Sequence, residues 1–171
     1  MVEPRIRAVG RIVETAFPKI KESWWEKILC WFGKLKYRFN APTVQGEIGA
    51  SEVWAKIKAF SPSCVIYLAD EKYKLATKTD IQIALMKDLT NMMQYQTCYL
   101  DCDDFSFRLM GAFNDKKWGA FAFGIGWSNV HAFNCFIDDK KQFYIVEPQT
   151  DEIILYEKTK DMYHPLQFVI M

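Results

Sequence analysis

Between Phe121 and Trp127 every second residue is large and apolar, and every residue between is alanine or glycine. Phe121, Phe123, Ile125 and Trp127 alternate with Ala122, Gly124 and Gly126, and Ala120 extends the small set. A repeat of two belongs to a strand, whose side chains point to opposite faces in turn. A strand over Trp118–Trp127 therefore has one bulky face and one nearly bare face. A bare face admits close approach of another element. The expectation is that an apolar helix starting at Cys102 lies against it.

More of the same architecture surrounds this segment. His131–Ile137 and Gln142–Val146 read as two strands about the turn Asp138-Asp139-Lys140-Lys141. Glu152–Tyr156 and Leu166–Ile170 read as two more. Upstream, Ser51 is placed to cap a helix through Phe60, and Ser61-Pro62-Ser63 ends it. Cys64–Ala69 is a short apolar strand, and Tyr73–Ala76 a second. Thr79 resembles an N-cap for a helix to about Gln94, with Ile81, Ala84, Leu85, Leu89 and Met92 or Met93 on one face. From Cys102 to Asn114, Phe105, Leu109, Ala112 and Phe113 fall at helical spacing. Helices precede an antiparallel sheet, which is an α+β order with the cysteine on a central helix.

The 171 residues suit one ordinary domain, and 50 % are hydrophobic, enough for a sizeable core. A net charge of +1 argues against a dedicated nucleic-acid binder. Residues 1–40 carry nine Lys/Arg and four acids, and the remainder is acidic. Within them, Trp24, Ile28, Trp31, Phe32 and Leu35 recur at helical spacing over 19–39. Such a basic, Trp-rich helix can lie on a membrane surface or dock on a partner. Glu22 and Glu26 on its polar face favour a helix packed on its own domain or another chain instead. Pro42, Gly46 and Gly49 mark Asn40–Ala50 as a linker, so residues 1–45 form an extension and 46–171 the main domain. The five cysteines are Cys30, Cys64, Cys98, Cys102 and Cys135. An odd number with no signal peptide or membrane-spanning run points to free thiols and a cytoplasmic protein.

The chemistry gathers at Asp101-Cys102-Asp103-Asp104-Phe105, at the start of that helix. Three neighbouring carboxylates oppose formation of a thiolate. A bound cation, the helix N-terminus or an approaching histidine would offset them. Only two histidines exist, His131 and His164. If the hairpin turn centres on Asp139, Glu147 lies directly across from His131 and holds one ring nitrogen, leaving the other for the thiol. A four-residue loop would instead turn Glu147 to the other face. Gln96, with the backbone N–H of Cys102, is placed to form an oxyanion hole. Zinc held by Cys98, Cys102, His131 and Cys135 is disfavoured, since strand residues four apart are separated by about 13 Å. Cys30, Cys64 and Cys135 read as core thiols.

Gln96, Cys102, His131 and Glu147, in that order, resemble the papain-like and transglutaminase-like cysteine peptidases. The stretches YLDCDDFS, HAFNCFID and YIVEPQTDEI are most similar to the C-terminal protease domain of a fungal agglutinin and to phage proteins sharing it. The likeness runs from about Cys64 to Tyr156. It implies a papain-like fold, a Cys-His-Glu triad of Cys102, His131 and Glu147, a protein or peptide substrate, and activating calcium. Leu100 stands where the bacterial peptidases have glycine, and Glu147 where they have aspartate, which favours the agglutinin-like branch. Asp101, Asp103 and Asp104 are hard oxygen ligands suited to calcium. The alternative is that Asp103 and Asp104 only complement the helix dipole. Two other functions compete: a non-catalytic binding or phage structural module that keeps the fold, and a cell-wall amidase.

Overall fold

The order of elements is β1 (Gly46–Gly49), α1 (Ala50–Phe60), β2 (Val65–Tyr67), β3 (Lys72–Leu75), α2 (Lys78–Leu85), α3 (Cys102–Asn114), β4 (Phe123–Trp127), β5 (Ala132–Ile137), β6 (Phe143–Glu147), β7 (Glu152–Leu155) and β8 (Phe168–Ile170). This computed structural model describes residues 43–114 and 118–171. The Trp-rich segment 19–39 and Cys30 lie outside the described residues. Among the described residues no helix is long and apolar enough to cross a membrane.

Six strands form one sheet in the order β2-β8-β4-β5-β6-β7, and β1 pairs with β3 in a small second sheet. The large sheet is antiparallel except at its edge, where β2 runs parallel to β8. Alternation along β5 divides the core in two. Phe133, Cys135 and Ile137 join Val53 and Ile57 of α1 on one face. Phe136 joins Leu109 and Phe113 of α3, and Ile81, Ala84 and Leu85 of α2, on the other. The molecule is thus α+β, with the cysteine-bearing helix packed on a mixed sheet.

The bare face of β4 is not where α3 lies. Phe113 of α3 stacks on Phe123 with centroids 4.0 Å apart, and Phe107 meets Trp127 at 5.8 Å. The helix therefore rests on the bulky face. The small residues serve the opposite side. A Cβ at Gly124 would come within 2.1 Å of the Ile170 carbonyl oxygen, and one at Gly126 within 2.9 Å of the Phe133 ring. Glycine admits strand β8 and a neighbouring aromatic there, not a helix.

Four further local expectations need correction. Gly46–Gly49, expected within a linker, is a strand paired with β3. It feeds straight into α1, so Gly49 takes the N-cap position without a side-chain bond and Ser51 falls inside the first turn. Thr77, not Thr79, caps α2, accepting from the Asp80 N–H at 3.0 Å. That helix stops at Leu85, well before Gln94. Asp88 Oδ2 then accepts from the Thr90 N–H at 2.7 Å and opens a short 3-10 turn, Thr90–Met92. Such local side-chain bonds compete with helix continuation. Leu89 and Met92 are accordingly exposed.

Candidate active site

His131 directly precedes β5, and Glu147 ends β6. Cross-strand partners in this hairpin run Asn134↔Val146 to Ile137↔Phe143. Continued, this register sets Glu147 across from Phe133, one diagonal step from His131 and on the same face. The two share a face, in the register of a turn centred on Lys140 and not on Asp139. The turn explains the shift. Asp138 Oδ1 accepts from the N–H groups of Lys140 and Gln142, and the Asp138 N–H donates to the Gln142 carbonyl. Lys141 takes the left-handed conformation, with φ of 58°. A three-residue loop centred on Lys140 results.

The diagonal pair makes a bond. His131 Nε2 lies 2.7 Å from Glu147 Oε2. Tyr163, in the 3-10 turn Asp161–Tyr163, donates its hydroxyl to the same oxygen at 3.0 Å. The Gln149 N–H donates to Oε1 at 3.3 Å. Glu147 is only 8 % exposed, so these bonds offset the loss of water around its carboxylate. Burial, and then the negative charge of Glu147, push the Tyr163 hydroxyl well above its ordinary range. It remains a neutral donor. The His131 ring also packs against Tyr163 edge-on at 5.5 Å and against Phe133 at 6.2 Å. Ser128 fixes the loop that delivers it. Ser128 Oγ accepts from the His131 N–H at 3.0 Å and donates to the Met162 carbonyl at 2.6 Å.

Cys102 is the first residue of α3, half-buried, with a free thiol. The two aromatic contacts of α3 give its direction. Phe107 meets Trp127, which pairs with Ala132, and Phe113 meets Phe123, which pairs with Phe136. Helix α3 therefore runs alongside β5 in the same sense, and both start at one end of the sheet. Cys102 and His131 share that end, the ring on the face of Phe133 and Tyr163 and the helix on the face of Phe136. Among the described residues no hydrogen bond joins the sulfur to the ring, and Nδ1 of His131 has no partner. The opening N–H groups of α3 have no partner within the helix, as at any helix start.

The remaining expected residues divide. Gln96 sits in a tight reversal, its N–H and carbonyl both bonded to Leu100, while Cys98 takes φ of 65°. Its exposed side chain makes no hydrogen bond among the described residues. Tyr95, beside it, stacks on Phe105 of α3 at 6.4 Å, which ties the reversal to the cysteine helix. Ligand atoms of Asp101, Cys102 and Asp103 all lie within 4.8 Å of one another. A hydrogen bond to the Asp101 carboxyl, and then burial, raise Asp103 above the usual carboxylate range. Asp104 takes another part, accepting from the Asp101 N–H at 3.1 Å as the third residue of a capping arrangement. Tyr163 and Ser128 escaped the sequence reading. Neither stands near His131 or Glu147 in a recognisable motif, and only the fold brings Tyr163 back to the hairpin.

No family model and no curated protein matches the chain. Solved structures do. One described as "PSL1a-E64 complex" matches with a TM-score of 0.60 at 20% identity, over 73% of this chain and 50% of that one. Polyporus squamosus lectin bound to a human-type influenza-binding epitope matches with a TM-score of 0.60 and 20% identity, over 73% and 49%. The chain spans about half the length of these proteins. The likeness shows a shared fold, a helix packed on a mixed six-stranded sheet.

Proposed function

We propose that this chain is a papain-like cysteine hydrolase acting on peptide bonds through an acyl-enzyme. One observation carries the reading: an imidazole held by a buried carboxylate at 2.7 Å, at the end of the sheet where a cysteine opens the packed helix. With Nε2 committed to Glu147, Nδ1 is the nitrogen available to the thiol. His131 takes the proton of Cys102, and the sulfur attacks the carbonyl carbon. The Cys102 N–H and the Gln96 amide receive the oxyanion. His131 then protonates the leaving amine as the C–N bond breaks. It next deprotonates a water that attacks the thioester, releasing the acid and restoring the thiol. Glu147 keeps the ring oriented and complements the imidazolium charge.

Calcium fits this site in part. Asp101 and Asp103 offer adjacent hard oxygens, while the Cys102 sulfur is a soft donor that calcium does not favour. A cation held by the two carboxylates would take the place of the hydrogen bond between them and reduce the like-charge pressure on the thiol. Calcium is therefore expected to raise the melting temperature, chelation to reverse the shift, and Asp103→Asn to abolish it. Equal melting with and without the ion would remove calcium from the reading.

The decisive experiment is labelling by a thiol-directed peptidyl epoxide or vinyl sulfone, with the modified residue mapped by mass spectrometry. The wild-type chain is expected to label at Cys102 and to lose both labelling and turnover in Cys102→Ala. Labelling confined to the exposed Cys98 would overturn the proposal. The missing sulfur–ring hydrogen bond favours a second reading, a binding module that keeps the fold without turnover. That reading predicts a sluggish Cys102 thiol and no melting response to calcium.

A further inference from the structure

The interface between α3 and the sheet is apolar, built on Leu109, Phe113, Phe123 and Phe136, yet Asn134 lies within it at 0 % exposure. Its Nδ2 donates to the Ser106 carbonyl of α3 at 3.0 Å and to the Gly124 carbonyl of β4 at 3.2 Å. Its Oδ1 has no hydrogen-bond partner among the described residues. A buried acceptor left unpaired is costly, and an apolar residue would avoid that cost. What the amide adds is a directed bond between helix and sheet. Ser106 passes that bond on. Its Oγ donates to the Cys102 carbonyl at 2.8 Å, one turn back along the helix. Asn134 lies in β5, three residues after His131, which directly precedes that strand. Two hydrogen bonds that meet at Ser106, one on its carbonyl and one from its hydroxyl, therefore link the strand that follows His131 to the residue that carries the thiol.

We infer that Asn134 is a positioning residue, which through Ser106 sets the placement of Cys102 relative to His131. The inference rests on the hydrolase reading above and adds to it the element that fixes helix against strand. The hydrophobic effect is non-directional, whereas a hydrogen bond fixes one donor against one acceptor. The amide does so at the turn next to the cysteine. Asn134 touches no reacting atom, so its effect belongs to the rate of the chemical step and not to binding of the probe.

The test measures time-dependent labelling of Cys102 by the peptidyl probe, resolved into kinact and KI, in wild type and in Asn134→Ala. Both are studied well below the melting temperature, with circular dichroism to confirm the fold. Displacements near 1 Å at a reacting group cost up to roughly 100-fold in rate, so kinact is expected to fall by about 10-fold to 100-fold with KI unchanged. A purely structural role would lower the melting temperature and leave kinact where it was, which overturns the inference. Should Asn134→Ala fail to fold, Ser106→Ala decides. It removes only the bond to the Cys102 carbonyl, and is expected to lower kinact in the same direction, whereas an unchanged kinact refutes the inference. Absence of labelling at Cys102 in wild type would instead bring down the hydrolase reading itself.

Discussion

Glu147 shows how one residue gathers partners from distant parts of the chain. A single oxygen takes both the His131 ring and the Tyr163 hydroxyl. Tyr163→Phe leaves the ring in place and removes one donor. A hydrogen bond to a charged group contributes about 2 kcal/mol, so urea unfolding should show a loss of about that size. Activity should fall through kcat rather than KM, since the orientation of His131 is what suffers. The thiols differ just as sharply. Burial pushes Cys64 up to about 11 and raises Cys135 further, whereas Cys98 is exposed. Iodoacetamide at mildly alkaline pH should therefore spare Cys64 and Cys135 in the native chain and modify them only after denaturation. Modification of either in the folded protein would contradict the packing described for both core thiols.

At the scale of elements, two glycines make opposite predictions. Gly111 lies on the exposed side of α3, and a Cβ there meets nothing within 4 Å. Gly111→Ala should stabilise the chain by about 0.5–1 kcal/mol, by restricting the unfolded state and favouring the helix. At Gly124 the same substitution drives a methyl into the backbone of β8. It should cost about 3 kcal/mol or more and loosen the C-terminal strand, visible as faster amide exchange over Phe168–Ile170. A chain that tolerated alanine at Gly124 as well as at Gly111 would refute the close approach of β4 and β8. The hairpin that carries the site follows similar local rules. Lys141 adopts a left-handed φ without being glycine because Asp138 ties down the N–H groups around it.

Across the whole molecule, one contact bridges the segment before α3 and the turn after Glu147. Asn91 Nδ2 donates to Asp151 Oδ2 at 2.7 Å. Burial, and then the charge of Asp88, raise Asp151 to about 6 from its ordinary 3.8. Between those two values the folded chain holds a proton that the unfolded chain has released. Its contribution to stability is complete below the lower value and is lost as pH rises through the upper one. Urea midpoints measured from pH 4 to pH 7 should fall more steeply for wild type than for Asp151→Asn, whose side chain does not titrate. Parallel profiles for the two proteins would show that Asp151 is not so placed.

The period of two around Phe123, the helical spacing after Cys102 and the opposed strands of His131 and Glu147 are local properties, and the sequence determines them. They yield an α+β chain with a cysteine at a helix start, but leave open the turn length that decides whether Glu147 shares a face with His131. Which side of β4 receives the helix was decided elsewhere. Both faces offer apolar contact, and the bare one is taken by a second cluster, in which Phe133 packs with Val53 and Ile57 of α1 and with Val169 of β8, a strand more than forty residues from Gly124. The same holds for Tyr163, for the pairing of β1 with β3, and for the amide of Asn134. Periodicity reports which residues face inward, but only closure of the chain in three dimensions says what they face.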